Sequence, residues 1–159
     1  MSEFLLLGYN VATPEVDTGD DVYVVQDQSG DLWKIQVKTA TASRTVKGFN
    51  ATIKVPMRQL RQPKDPELTY IVVIRDKKNW IYFILPRAVL NNLYQNDGVG
   101  TPSGPYVIFK FSRNESSKSV LCGRTDVLFA ENNWKEWPPV TKSAPKPKMK
   151  RSRSKATTS

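Results

Sequence analysis

Between Asp31 and Thr39 the sequence alternates by twos. Trp33, Ile35 and Val37 fall on one side of an extended chain, and Lys34, Gln36 and Lys38 on the other. Residues 21–26 read as the partner strand, joined through a tight turn at Asp27, Gln28, Ser29 and Gly30. Directly opposed residues of an antiparallel pair share a face and have a constant index sum. A two-residue turn at Gln28 and Ser29 therefore sets Asp21 opposite Gln36. A turn at Ser29 and Gly30 sets Asp21 opposite Lys38. Either register puts all three side chains on one face. A three-residue turn breaks the phase unless a bulge restores it.

The rest of the chain supplies further elements. "MSEFLLLGYN" reads as a short helix ending at Gly8, with Tyr9 to Ala12 as a first strand. A helix this short leaves room for the domain to begin upstream of Met1. Residues 40–50 are polar and read as a loop, and "FNATIKV" as another strand. "PMRQLRQ" opens a short helix with Pro56 at its first position. "TYIVVIR" and "NWIYFIL" are strong strands joined by Asp76, Lys77, Lys78 and Asn79. "PRAVLNNLY" reads as a helix, "NDGVGTPSGP" as a loop and "YVIFKF" as a strand. A helix is expected from about Thr125 to Phe129. From Ala144 on, proline, serine and basic residues cannot bury a core.

Composition narrows the function classes. A chain of 159 residues with 39% hydrophobic content suits one domain, residues 1–140, followed by a tail, residues 141–159. There is no histidine, which removes Ser-His-Asp and Cys-His catalysis and histidine–zinc sites. The lone Cys122 forms no internal disulfide and reads as a small buried residue. No apolar run approaches the ~20 residues needed to span a bilayer. The run Phe4-Leu5-Leu6-Leu7 has no basic residue before it and is too short for a signal peptide, so a soluble cytoplasmic protein is expected. The net charge is +9, and seven of those charges lie in residues 141–159, which contain no acid.

Asp21, Gln36 and Lys38 together make a chemical set. A carboxylate binds a hard divalent cation such as Mg2+, and an amide oxygen with a backbone carbonyl, that of Val37, can complete the shell. A lysine beside them can orient an attacking water or stabilise charge on a phosphate in flight. This suits phosphodiester hydrolysis without histidine. The plain alternative is that Lys34, Gln36 and Lys38 are the solvated face of an ordinary strand, with Asp21 a turn residue.

"GYNVATPEVDTGDDVYVVQDQSGDLWKIQVKTA" resembles the nuclease core of the PD-(D/E)XK, or restriction-endonuclease-like, superfamily. More narrowly, it is similar to small bacterial and cyanobacterial endonucleases associated with group I introns. The likeness runs over residues 1 to about 95, through "ELTYIVVIRDKKNWIYFILPRAVL". The resemblance implies an α/β fold: a central mixed β-sheet flanked by helices, here with a disordered basic C-terminal tail. It matches Asp21 to the metal-binding aspartate and Lys38 to the lysine, with Gln36 where the family usually has Asp or Glu. The family often carries a glutamate on its first helix, where this chain offers Glu3. Glu15 and Asp17, just before the catalytic strand, could supply the carboxylate instead.

Double-stranded DNA is the expected partner. Arg44, Lys47, Lys54, Arg58 and Arg61 could track its backbone, and so could the tail through Lys148, Lys150, Arg151 and Arg153. The expected cofactor is Mg2+, with Mn2+ as a substitute. One site cuts one strand, so double-strand cleavage implies a homo-oligomer. Two other readings remain open: a non-catalytic DNA-binding module of the same fold, and a structural or protein-interaction domain.

Overall fold

The computed structural model describes residues 1–15, 21–26 and 30–134. In chain order the elements are α1 (Ser2–Leu6), β1 (Asn10–Ala12), β2 (Val22–Val25), β3 (Leu32–Thr41), β4 (Ser43–Thr45), β5 (Gly48–Pro56) and α2 (Met57–Arg61). Then come β6 (Leu68–Asp76), β7 (Asn79–Pro86), α3 (Arg87–Asn96), β8 (Thr101–Ser103), β9 (Tyr106–Asn114), β10 (Ser119–Cys122) and β11 (Thr125–Asp126). A 3-10 turn, Leu128–Ala130, follows.

The strands form two sheets. The first has the order β1-β2-β3-β6-β7, and the second β11-β10-β9-β5-β4, with β8 also paired to β9. The first sheet is mixed: β3 and β6 are parallel, and its other neighbours are antiparallel. A parallel pair needs a crossover connection. Here β4, β5 and α2 supply it, so the second sheet grows out of the link between β3 and β6.

This arrangement explains the apolar patterns. β6 lies between β3 and β7, and Leu68 to Val72 are all buried. A strand covered on both faces reads as a continuous apolar run. Its even-numbered residues Leu68, Tyr70, Val72 and Ile74 face Phe49, Ile53, Phe109 and Phe111 of the second sheet, with Leu60 of α2 and Leu90 of α3. Ile71 packs on the far face with Phe4, Val22, Val24, Trp33, Ile35 and Ile84. Trp134 closes that face, edge-on to Phe4 and to Tyr82. Cys122 is fully buried, and burial pushes its thiol pKa up to about 12. Among the described residues, no helix is long and apolar enough to cross a membrane.

The central mixed sheet is as expected. Alongside α2 and α3, the second sheet covers one of its faces, which the helical reading did not anticipate. Residues 40–50 are largely strand rather than loop: the end of β3, all of β4 and the start of β5, with a turn at Val46 and Lys47. β4 is the outermost strand of its sheet and fully exposed, so its pairing needs no apolar alternation. "TPS" within the expected loop is β8, where Pro102 is tolerated because an edge strand needs fewer backbone donors. The helix expected at Thr125 to Phe129 is a strand residue pair and a 3-10 turn, started by Asp126 accepting from the Leu128 N–H at 2.7 Å. Pro56 and Pro86 cap α2 and α3 rather than opening them.

Arg87 ties the core to α2. It is buried, its guanidinium grips Glu67 through two bonds of 2.7 and 3.1 Å, and Nη1 donates to the Leu60 carbonyl at 2.9 Å. The last carbonyls of a helix lack partners within it, and Arg87 supplies one. Arg87→Leu is expected to cost about 3 kcal/mol, because a buried carbonyl and a carboxylate lose charged donors. Urea unfolding followed by tryptophan fluorescence measures it; an unchanged midpoint refutes the assignment.

Candidate active site

The hairpin register is the first of the two allowed by arithmetic. Val22 faces Ile35 and Val25 faces Leu32. The index sum of 57 carries Asp21 to the position opposite Gln36, and the Asp21 N–H donates to the Ile35 carbonyl at 2.8 Å. The turn residues Asp27, Gln28 and Ser29 lie outside the described residues.

β3 keeps an unbroken ladder with β6 from Lys34 to Thr41. Its odd residues Trp33 and Ile35 belong to the far-face core, with Val37 packed against it. Gln36 and Lys38 therefore point to the face that looks toward β5 and α2. Asp21 joins them there. One of its oxygens, Oδ2, accepts from the Gln36 side-chain amide at 2.6 Å and from the Val37 N–H at 2.7 Å. The Val37 carbonyl leaves the strand on the same edge as its N–H.

Gln36 does not end the chain of contacts. It is buried, and its Oε1 accepts from Gln59 Nε2 at 2.9 Å. Gln59 Oε1 in turn accepts from the hydroxyl of Tyr70, which is fully buried, at 3.1 Å. Parallel pairing sets Tyr70 beside Gln36 on β6, and α2 brings Gln59 over both. Neither Gln59 nor Tyr70 is picked out by the sequence reading. Gln59 lies in a short helix with no sequence link to the hairpin, and Tyr70 reads as a core aromatic.

Lys38 is half-buried and makes no ion pair or hydrogen bond among the described residues. The extra acids fare differently. Glu3 lies across the sheet: α1 docks Phe4 on the far face, and Tyr82 there has its hydroxyl pKa raised by burial and then by the Glu3 charge. Glu15 is exposed and unbonded among the described residues, and Asp17 lies outside them.

The cations divide likewise. Arg44 is clamped between Asp76 and Glu115, which raise its pKa, Glu115 most. Arg61 stands over the Tyr94 ring, 5.7 Å from its centre. Lys47, Lys54 and Arg58 are exposed and unpaired among the described residues. Lys148, Lys150, Arg151 and Arg153 fall outside those residues.

The donor set suits a hard cation. The Asp21 carboxylate and the Val37 carbonyl are oxygen donors, the Gln36 oxygen would join them only with its amide turned over, and Mg2+ commonly uses one or two carboxylates and keeps several waters. Among the described residues, no three of His, Cys, Asp and Glu cluster. Asp21 is the only carboxylate joined to Gln36 among the bonds described, and Gln36 turns its nitrogen, not its oxygen, toward Asp21.

No family model matches the chain, and no curated protein does. Among solved structures it is similar to that of a bacterial homing endonuclease, I-Ssp6803I. The TM-score is 0.50 at 15% identity, over 84% of this chain and 80% of that one. At that identity the likeness is one of fold.

Proposed function

We propose that this chain is a Mg2+-dependent endonuclease of the PD-(D/E)XK type, of the homing kind, hydrolysing phosphodiester bonds in double-stranded DNA. One observation carries the reading. The Asp21 carboxylate, Gln36 and the Val37 backbone meet just before β2, with the ammonium of Lys38, unpaired among the described residues, next along the same face. The fold shared with a bacterial homing endonuclease supports it.

In this reading Asp21 holds the cation, with the Gln36 amide oxygen and the Val37 carbonyl. Bound Mg2+, or Mn2+ in its place, supplies charge at the phosphate and makes a bound water more acidic. Lys38 orients the attacking water and offsets negative charge growing on the phosphate oxygens. Lys47, Lys54 and Arg58, with Lys148, Lys150, Arg151 and Arg153 of the tail, hold the backbone through salt-sensitive contacts. Cleavage of both strands requires two such sites, hence a homo-oligomer.

A second reading has its own support. Glutamine replaces an acid at position 36 and presents its nitrogen to Asp21, as a non-catalytic DNA-binding module would allow. Two measurements separate the two. Calorimetry with Mn2+ reports cation binding, and supercoiled plasmids bearing a randomised insert report nicking with Mg2+ or Mn2+. The endonuclease binds Mn2+, loses it in Asp21→Asn, and nicks plasmid only with a cation. A chain that binds duplex DNA, yet takes up no Mn2+ and nicks no member of the library, is the module.

A further inference from the structure

We propose that Gln59, with Tyr70 behind it, holds the Gln36 amide beside Asp21 in either of two orientations and so positions it for a cation. The inference rests on the cation-site reading above and assigns it two positioning residues.

Tyr70 donates to Gln59 Oε1, Gln59 Nε2 donates to Gln36 Oε1, and Gln36 Nε2 donates to Asp21. Every link is directional. An amide has a donor end and an acceptor end, whereas a hydroxyl can take either role. In the arrangement described, the Gln36 nitrogen neutralises part of the Asp21 charge and its oxygen is occupied.

Turning both amides over gives a second arrangement. Gln36 Nε2 then donates to Gln59 Oε1, and Gln59 Nε2 donates to the Tyr70 oxygen. The Gln36 oxygen now faces the Asp21 carboxylate. Two oxygens in contact repel unless a cation lies with them, so the first arrangement belongs to the cation-free chain and the second to the loaded one. Both interior contacts survive the reversal because Tyr70 can accept as well as donate. Gln36 and Tyr70 are buried, so an unmatched end would not be rescued by bulk water.

A carboxylate at position 36 would need no such control, since it presents oxygen on both sides. This separates a positioning role from a merely structural one. Mn2+ affinity is measured by calorimetry in four full-length chains: wild type, Gln59→Leu, Gln36→Glu, and the double variant. Side-chain amide NMR signals of Gln36 and Gln59 are followed during Mg2+ titration of the wild type. Removing the group that orients a metal ligand typically weakens binding about 10–100-fold. Gln59→Leu is expected to weaken Mn2+ binding about tenfold in the wild-type background and less than about twofold in the Gln36→Glu background. Gln59 and Gln36 amide signals should move together with saturation. Equal losses in both backgrounds, or no loss in either, overturn the relay while leaving the cation site standing. A wild type that binds no Mn2+ overturns both.

Discussion

Lys38→Ala is expected to slow plasmid nicking by about 10^2–10^3-fold, the usual loss when one preorganised group that stabilises developing charge is removed. Mn2+ and duplex affinity should change by less than about threefold, since one phosphate contact among many is at stake. Lys38 sits two residues beyond Gln36 on the same face, about 6.7 Å along the strand. Its ammonium is not engaged by any acid among the described residues, so nothing has to be displaced before it meets a phosphate. Lys54→Ala is the control. Lys54 is an exposed cation on the outer side of β5 and is expected to alter only the salt dependence of binding. Single-turnover nicking rates at saturating protein decide the matter. If Lys38→Ala and Lys54→Ala behave alike, Lys38 is an ordinary surface cation and the catalytic role fails.

Gly48→Ala is expected to cost more than about 3 kcal/mol, the scale of backbone strain added to overpacking. Gly48 starts β5, opposite Asn114 of β9. Its φ is +153°, which side-chain-bearing residues rarely adopt, and an added Cβ would lie 2.0 Å from the Arg113 carbonyl oxygen. That neighbour is backbone inside a strand pair and cannot swing aside. The β5–β9 ladder holds the second sheet together and carries Phe49 and Phe111 into the core. The variant should unfold at much lower urea or be recovered only as insoluble protein. Gly8→Ala is the comparison: its φ is also positive, but a Cβ there meets nothing within 4 Å. Equal midpoints for Gly48→Ala and wild type would refute the close approach.

Much of the candidate site was legible because it is local. The alternation at Trp33, Ile35 and Val37 marks a strand, and a two-residue turn leaves few registers for its partner. Asp21 facing Gln36 follows from that arithmetic, and the structure has that register. The strong strands around Ile71 and Phe83 were legible for a similar reason: apolar runs bounded by turn residues.

The misses are non-local. Polar Ser43 and Thr45 gave no strand signal, because a strand on an exposed sheet edge takes its order from β5 rather than from its own side chains. Arg44 looked like a free cation until folding brought Asp76 and Glu115 to it from distant parts of the chain. Glu3 looked available until α1 seated Phe4 on the far side of the sheet.

By itself, then, the sequence determined the strand periodicity, the absence of histidine and, given a two-residue turn, the face shared by Asp21, Gln36 and Lys38. Only the tertiary structure decided that β3 and β6 run parallel, that a second sheet rather than helices alone covers the core, and that Gln59 and Tyr70 stand behind Gln36. The reason is physical. Period and turn length are set by neighbouring residues. A crossover instead brings together groups such as Gln36 and Gln59, 23 residues apart, through contacts that leave no repeating mark along the chain.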